Sequence, residues 1–252
     1  MGKLTFCALV SLLLAGAACT TNDLGGSAGG EQDGGSSVHP PLPGLVALTV
    51  APKTTTLTID AKGPPQSAAF TATGRFADAT ERDVTDEVNW ALDNRAIGAI
   101  DTHGRFTTSN QAGGNGTITA ASGVSQASAA LTVNLTATLR SPEAPANADQ
   151  LLPPLATGAV LAGRSPVIIY PSDQTIVPVN MFKVLFQWST GTGNDLFRLE
   201  LRGPQVVVSV YTTLDRYEPT AAEWALLARS AAGGEVTWTV YGTARSAPGL
   251  CA

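Results

Sequence analysis

Reactive side chains are scarce in this chain, which has two histidines and three cysteines in 252 residues. Zinc needs several convergent His or Cys ligands, and with only His39, His103, Cys7, Cys19 and Cys251 this chain is not expected to assemble three. A hydrolytic triad needs a histidine beside a nucleophile and an acid. His103 is the one histidine in a segment patterned to fold, and it sits in a tight turn with Gly104, where a solvated side chain is expected. Only 14% of residues are charged, with a net charge of −5, so the clustered Lys and Arg that neutralise phosphates are missing and nucleic acid is excluded as a partner. Aromatics reach only 6%, and the composition lacks the Leu, Glu, Lys and Arg richness of a helical bundle or coiled coil. What the chain does have is 26 glycines, 16 prolines and 44% apolar residues, ample for a core and too apolar for a fully disordered chain.

The amino terminus reads as an address. Lys3 precedes an apolar run from Leu4 to Leu14, followed by small residues that end at Cys19. That order marks a secretory signal, and the run is too short to span a bilayer comfortably. Gly16-Ala17-Ala18-Cys19 resembles the lipobox of bacterial lipoproteins, although that family prefers Leu where this chain has Gly16. The resemblance implies removal of residues 1–18 and lipid attachment, with palmitate among the acyl groups, at Cys19. The alternative is plain cleavage after Ala17 or Ala18 and release of a soluble product. With Cys7 removed and Cys19 lipidated, Cys251 is the remaining thiol, and no internal disulfide framework is expected. Loss of Lys3, the only charged residue in that leader, takes the formal charge from −5 to −6.

Residues 19–44 are rich in Gly, Ser and Pro and are expected to form a flexible tether, with His39 solvated within it. From 45 to 135 the chain breaks into short runs with period-2 alternation: Val46, Leu48, Val50; Leu57, Ile59; Ala68, Phe70, Ala72; Val88, Trp90, Leu92; Ala129, Leu131, Val133. Alternation places one face of each strand in a core and the other in water, so an antiparallel sandwich is expected. Seven pieces, from Leu48-Thr49-Val50-Ala51-Pro52 through Asp83-Val84-Thr85 and Val88-Asn89-Trp90 to Leu131-Thr132-Val133, fall in an order that resembles the bacterial immunoglobulin-like domain of group 2. That resemblance implies a sandwich fold, an extracellular setting, Trp90 as a core anchor and no catalytic residues.

Residues 136–164 carry Pro142, Pro145, Pro153 and Pro154 and are read as a stiff linker. Residues 165–252 alternate again, through Val184 to Trp188, Leu196 to Leu201 and Val236 to Tyr241. Between them, Pro219 to Arg229 changes to helical period, with Glu218 and Glu223 near its positive end. The order resembles a fibronectin type III-like sandwich with Trp188 and Trp238 in the core. A further strand is expected after Trp238, but 244–252 shows no apolar alternation, so this second sheet is expected to be incomplete or the chain truncated. An open edge would invite pairing with another chain, with Cys251 beside it.

The fold class expected is therefore all-β, two immunoglobulin-like sandwiches with one short helix. Asp78, Glu81, Asp83, Asp86 and Glu87 suit calcium chemically but lack the Asp-x-Asp-x-Asp-Gly loop, so no metal site is assigned. The Asn-x-Thr triplets at Asn115 and Asn134 are read as chance. Gly191 and Gly193 lead into a strand and not a helix, which excludes a phosphate loop and a nucleotide partner. The function expected is a non-enzymatic envelope lipoprotein without cofactors, held to the outer membrane or cell surface. It would act as a spacer, adhesion or matrix-binding module whose partner is a surface protein or polysaccharide. The alternative is an accessory or truncated part of a larger exported enzyme or β-propeller protein.

Overall fold

The structure, a computed structural model, describes residues 2–7, 39–154, 163–178, 181 and 183–251. Strand β1 (Gly2–Cys7) is followed by β2 (Leu45–Ala51), β3 (Thr54–Asp60), β4 (Ser67–Ala69), β5 (Thr71–Phe76) and β6 (Glu81–Asp83). Then come β7 (Asn89–Leu92), β8 (Gly98–Ile100), β9 (Arg105–Thr108), β10 (Gly114–Ser122) and the long β11 (Ser125–Arg140). A helical turn, α1 (Ala148–Leu151), precedes β12 (Val167–Tyr170), β13 (Thr175–Pro178), β14 (Phe186–Ser189), β15 (Leu196–Gly203), β16 (Val206–Thr212) and β17 (Arg216–Tyr217). Helix α2 (Ala221–Ser230), β18 (Glu235–Ala244) and β19 (Ala247–Cys251) complete the order. The protein is all-β, as its alternation dictates.

In the first sandwich one face is built by β2-β5-β6 and by β4-β9-β8, and the other by β3, β11, β10 and β7. Leu48, Val50, Phe70, Ala72, Val88, Phe106, Ile118, Leu131 and Val133 fill the space between, all buried. Removing each such side chain from water contributes roughly 1.5–3 kcal/mol for the larger ones. Trp90 packs against this core half-exposed, and its indole N–H donates to the Thr85 carbonyl at 2.9 Å. In the second sandwich β12-β14-β17 faces the sheet of β16, β15 and β18. Trp188 and Trp238 are fully buried there. Trp238 stands edge-on to Phe186 with ring centres 5.3 Å apart, and Trp188 meets Phe197 at 5.8 Å.

Helix α2 starts where the change of period placed it. The Thr220 hydroxyl accepts from the Glu223 backbone N–H, and the Glu223 carboxylate accepts from the Thr220 N–H. This reciprocal cap satisfies two amides that a helix start leaves open. Trp224, Leu227 and Ala228 turn inward.

Three expectations need correction. Residues 39–44 are not free tether: Asn89 exchanges two hydrogen bonds with the His39 backbone, at 2.8 and 3.0 Å, and the Leu42 N–H donates to the Ser122 hydroxyl at 2.9 Å. His39 is thereby half-buried and not solvated. Second, the linker does not begin at 136, because β11 continues to Arg140 and pairs in parallel with β16, Leu135 to Arg140 against Val206 to Tyr211. The two sandwiches therefore share one ten-stranded sheet.

Third, a strand does follow Trp238. The turn at 245–246 folds β19 back onto β18, pairing Ala244 with Ala247 and Gly242 with Cys251. Residues 2–7, within the segment read as a leader, form part of the sheet. Strand β1 lies between β13, parallel, and β18, antiparallel.

Candidate functional site

Cys19, the lipid-attachment residue read from the sequence, lies outside the described residues. Cys251 lies in β19, paired through its backbone to Gly242. His103 occupies the exposed turn between β8 and β9, as its sequence setting implied. Its Nδ1 is 2.7 Å from the Asp86 carboxylate, and that hydrogen bond, reinforced by the carboxylate's charge, raises the imidazole pKa above its ordinary value. Both side chains are about three-quarters exposed, 73% and 72%, so the pair stands on the surface.

The acidic run does not converge. Asp78 accepts from Thr80, Asp83 accepts from the Thr85 backbone, and Glu87 forms a two-pronged bond with Arg82. Arg82 itself lies 4.8 Å over the Phe76 ring. The Arg82 guanidinium holds the Glu87 carboxyl below its usual range, and the Thr80 hydroxyl does the same for Asp78. Among the described residues no group of three or more His, Cys, Asp or Glu side chains is placed to hold a metal.

A cleft of about 590 Å³ opens on the second sandwich beside the end of β11. Its floor and walls come from the end of β11, the end of β16, β17 and the start of α2, so the shared sheet and the helix cap position it. Glu143, Tyr217, Glu218 and Glu223 face it together with Arg140 and Arg216. Glu143 accepts from the Thr212 hydroxyl at 2.9 Å, and Glu218 pairs with Lys183 at 2.7 Å. Burial pushes the Glu143 and Glu223 carboxyls up, but the hydrogen bonds each accepts outweigh it and leave both below the ordinary range. Burial pushes the Tyr217 phenol far up. The lowered carboxyls of Glu143 and Glu223 stay ionised, and the raised Tyr217 phenol stays neutral, through neutral pH. The cleft presents carboxylates and guanidinium groups that can meet a ligand by polar contacts.

One buried charge escapes the sequence pattern. Arg198 and Glu200 alternate with Leu199 and Leu201, which marks them as a wet face, yet Arg198 is fully withdrawn from solvent. The chain around α1 covers that face: Ala144, Ala148 and Leu152 pack with Leu196, Tyr211 and Tyr241. The Arg198 guanidinium lies over the Tyr241 ring, with the Glu200 carboxylate 3.8 Å away and no hydrogen-bond partner among the described residues. Glu200 pairs at 2.8 Å with the more exposed Arg202. The four-residue spacing of Ala144, Ala148 and Leu152 is the one sequence signal that could have foretold a cover here.

No protein-family model matches the chain, and no curated protein matches it. Among solved structures, a crystallised stretch of titin domains aligns over 82% of this chain at 12% identity, with a TM-score of 0.24. The alignment spans 63% of the titin chain, less than two thirds of its length. So slight a likeness carries no argument, and the sandwich architecture rests on the strand order described above. No helix among the described residues is long and apolar enough to cross a membrane.

Proposed function

We propose that this chain is an exported lipoprotein, held to the cell envelope by acyl chains on Cys19. Its two immunoglobulin-like sandwiches act as a non-enzymatic spacer and binding module, adhesive or matrix-binding. The observation that carries the reading is the order of Lys3, the apolar run Leu4 to Leu14, the small residues and Cys19. Several acyl chains on one residue give durable anchoring, since each buried methylene adds about 0.8 kcal/mol. The pieces matching the bacterial immunoglobulin-like group 2 pattern support an extracellular setting for the first sandwich. Stiff sandwiches that display loops and a polar cleft suit recognition of a surface protein or polysaccharide. The test is labelled-palmitate incorporation in wild type and Cys19→Ser, with cell fractionation and protease shaving. Label and envelope association confined to wild type are expected. Equal labelling of both, or retention in the cytosol, would refute the anchor.

A further inference from the structure

The edge of β18 is covered in two pieces. Strand β19 covers the end at Gly242 to Ala244, and β1 covers the other end, Gly2 opposite Trp238 and Thr5 opposite Glu235. Both run antiparallel to β18, so β1 prolongs the line that β19 begins. The first sandwich shows what belongs in that line: β11 runs antiparallel to β10 on one side and parallel to β3 on the other. In the second sandwich β1 takes the same place, antiparallel to β18 and parallel to β13. The leader thus occupies the position of a sandwich's closing strand.

The slot is shaped for a particular strand. Leu4, opposite Val236, is wholly buried. Gly2 lies so close to Trp238 that a Cβ there would stand 2.4 Å from the indole nitrogen. Lys3, between them, points to the other face, pairs with Glu235 at 2.9 Å and donates its backbone N–H to Asp173 at 3.0 Å. Beyond Gly2 the track continues as a groove of about 410 Å³, bounded by Val167, Ile169, Asp173, Thr239 and Val240. Val167, Ile169 and nearby Ile176 are exposed apolar side chains.

We infer that the track between β13 and β18 is an acceptor for an extended strand of a partner polypeptide, of the pattern small–basic–leucine. The inference rests on the export reading, because removal of residues 1–18 takes β1 away. What remains among the described residues is an edge with unpaired backbone groups and uncovered Val236 and Trp238, which a donated strand would close by ladder hydrogen bonds and by seating its leucine. Glu235 and Asp173 at the mouth select a basic residue between the two inward positions.

The test uses the chain purified from envelopes, with its first residue fixed by intact mass, and a fluorescent peptide of residues 2–7 carrying Cys7→Ser. Saturable binding to the processed chain is expected, weakened at least about tenfold by Leu4→Asp or by Gly2→Val in the peptide. In the protein, Glu235→Lys is expected to weaken it further while leaving the melting temperature near wild type. A processed chain that shows no saturable binding, or that binds a scrambled peptide equally, overturns the inference and leaves the export reading intact. A processed chain that is a stable dimer which the peptide cannot enter assigns the slot to a second copy and also overturns it. A chain that retains residues 1–18 sinks the export reading itself, and mass reveals that before any peptide is added.

Discussion

The Arg198 guanidinium lies 4.3 Å above the centre of the Tyr241 ring, with Arg198 sealed from solvent. A cation in that position gains from the ring's negative face and from the Glu200 carboxylate 3.8 Å away, but its N–H groups make no close hydrogen bond among the described residues. Replacing a buried charge by an apolar side chain of similar volume is often neutral or stabilising. Arg198→Met is therefore expected to keep or raise the unfolding free energy. Arg198→Ala, which leaves a void beside Tyr241, should lower it by about 2–4 kcal/mol. Urea unfolding of both variants checks the pair, and a large loss with Met would mean the guanidinium is well satisfied.

The Thr220–Glu223 cap gives a second expectation. Thr220→Ala removes the hydroxyl that accepts from Glu223, at a loss of about 1 kcal/mol at neutral pH. The Glu223 pKa is lowered in the folded state, so its contribution is complete above the unfolded value near 4.5 and disappears as pH falls through the folded value. The difference between wild type and Glu223→Ala should shrink in acid. A difference that stays constant between pH 7 and pH 3 contradicts the reciprocal cap.

The His103–Asp86 pair has the opposite sign. Its histidine pKa is raised on folding, so any stabilisation is full below the unfolded value near 6.5 and is lost as pH rises through the folded value. Asp86→Asn should return the His103 titration toward 6.5 in an NMR pH series. Because both side chains are exposed, the midpoint of unfolding should scarcely move. A titration unchanged by the substitution would separate the two residues in solution.

At the junction, Gly113 approaches the second sandwich so closely that a Cβ would stand 1.9 Å from the Gln205 carbonyl oxygen. Its N–H donates to the Ser230 hydroxyl at 2.8 Å. Gly113→Val should force β11 and β16 apart and split a single calorimetric transition into two, one for each sandwich. One unchanged transition would show that the junction tolerates the side chain and that coupling lies elsewhere.

These residues also show what the sequence could reveal. Alternation at Leu48 and Val50, at Phe70 and Ala72, and at Val236 and Trp238 identified buried faces because a strand's period of two is set locally. The helix at 221–230 was legible because its period is also set locally, through the apolar spacing of Ala221, Trp224 and Ala225 and the acids Glu218 and Glu223 at its start. The parallel pairing of Leu135 to Arg140 with Val206 to Tyr211 was not, because the partners lie some seventy residues apart and neither run encodes the other. Arg198 misled because alternation tells which residues share a face, not whether a later segment roofs it. At the cleft, Glu218 and Glu223 were visible as helix-start acids, whereas Glu143 sat in a proline-rich stretch that read only as spacer.

The shared sheet has a mechanical consequence. A pull drawn along the chain from its front end reaches the second sandwich through β11, whose six paired residues lie side by side with those of β16. Such an arrangement is loaded in shear, so its rungs must rupture together and not one after another as in an unzipping hairpin. The two halves would therefore swing as a single stiff arm under flow or traction, aiming whatever they grip in one fixed direction.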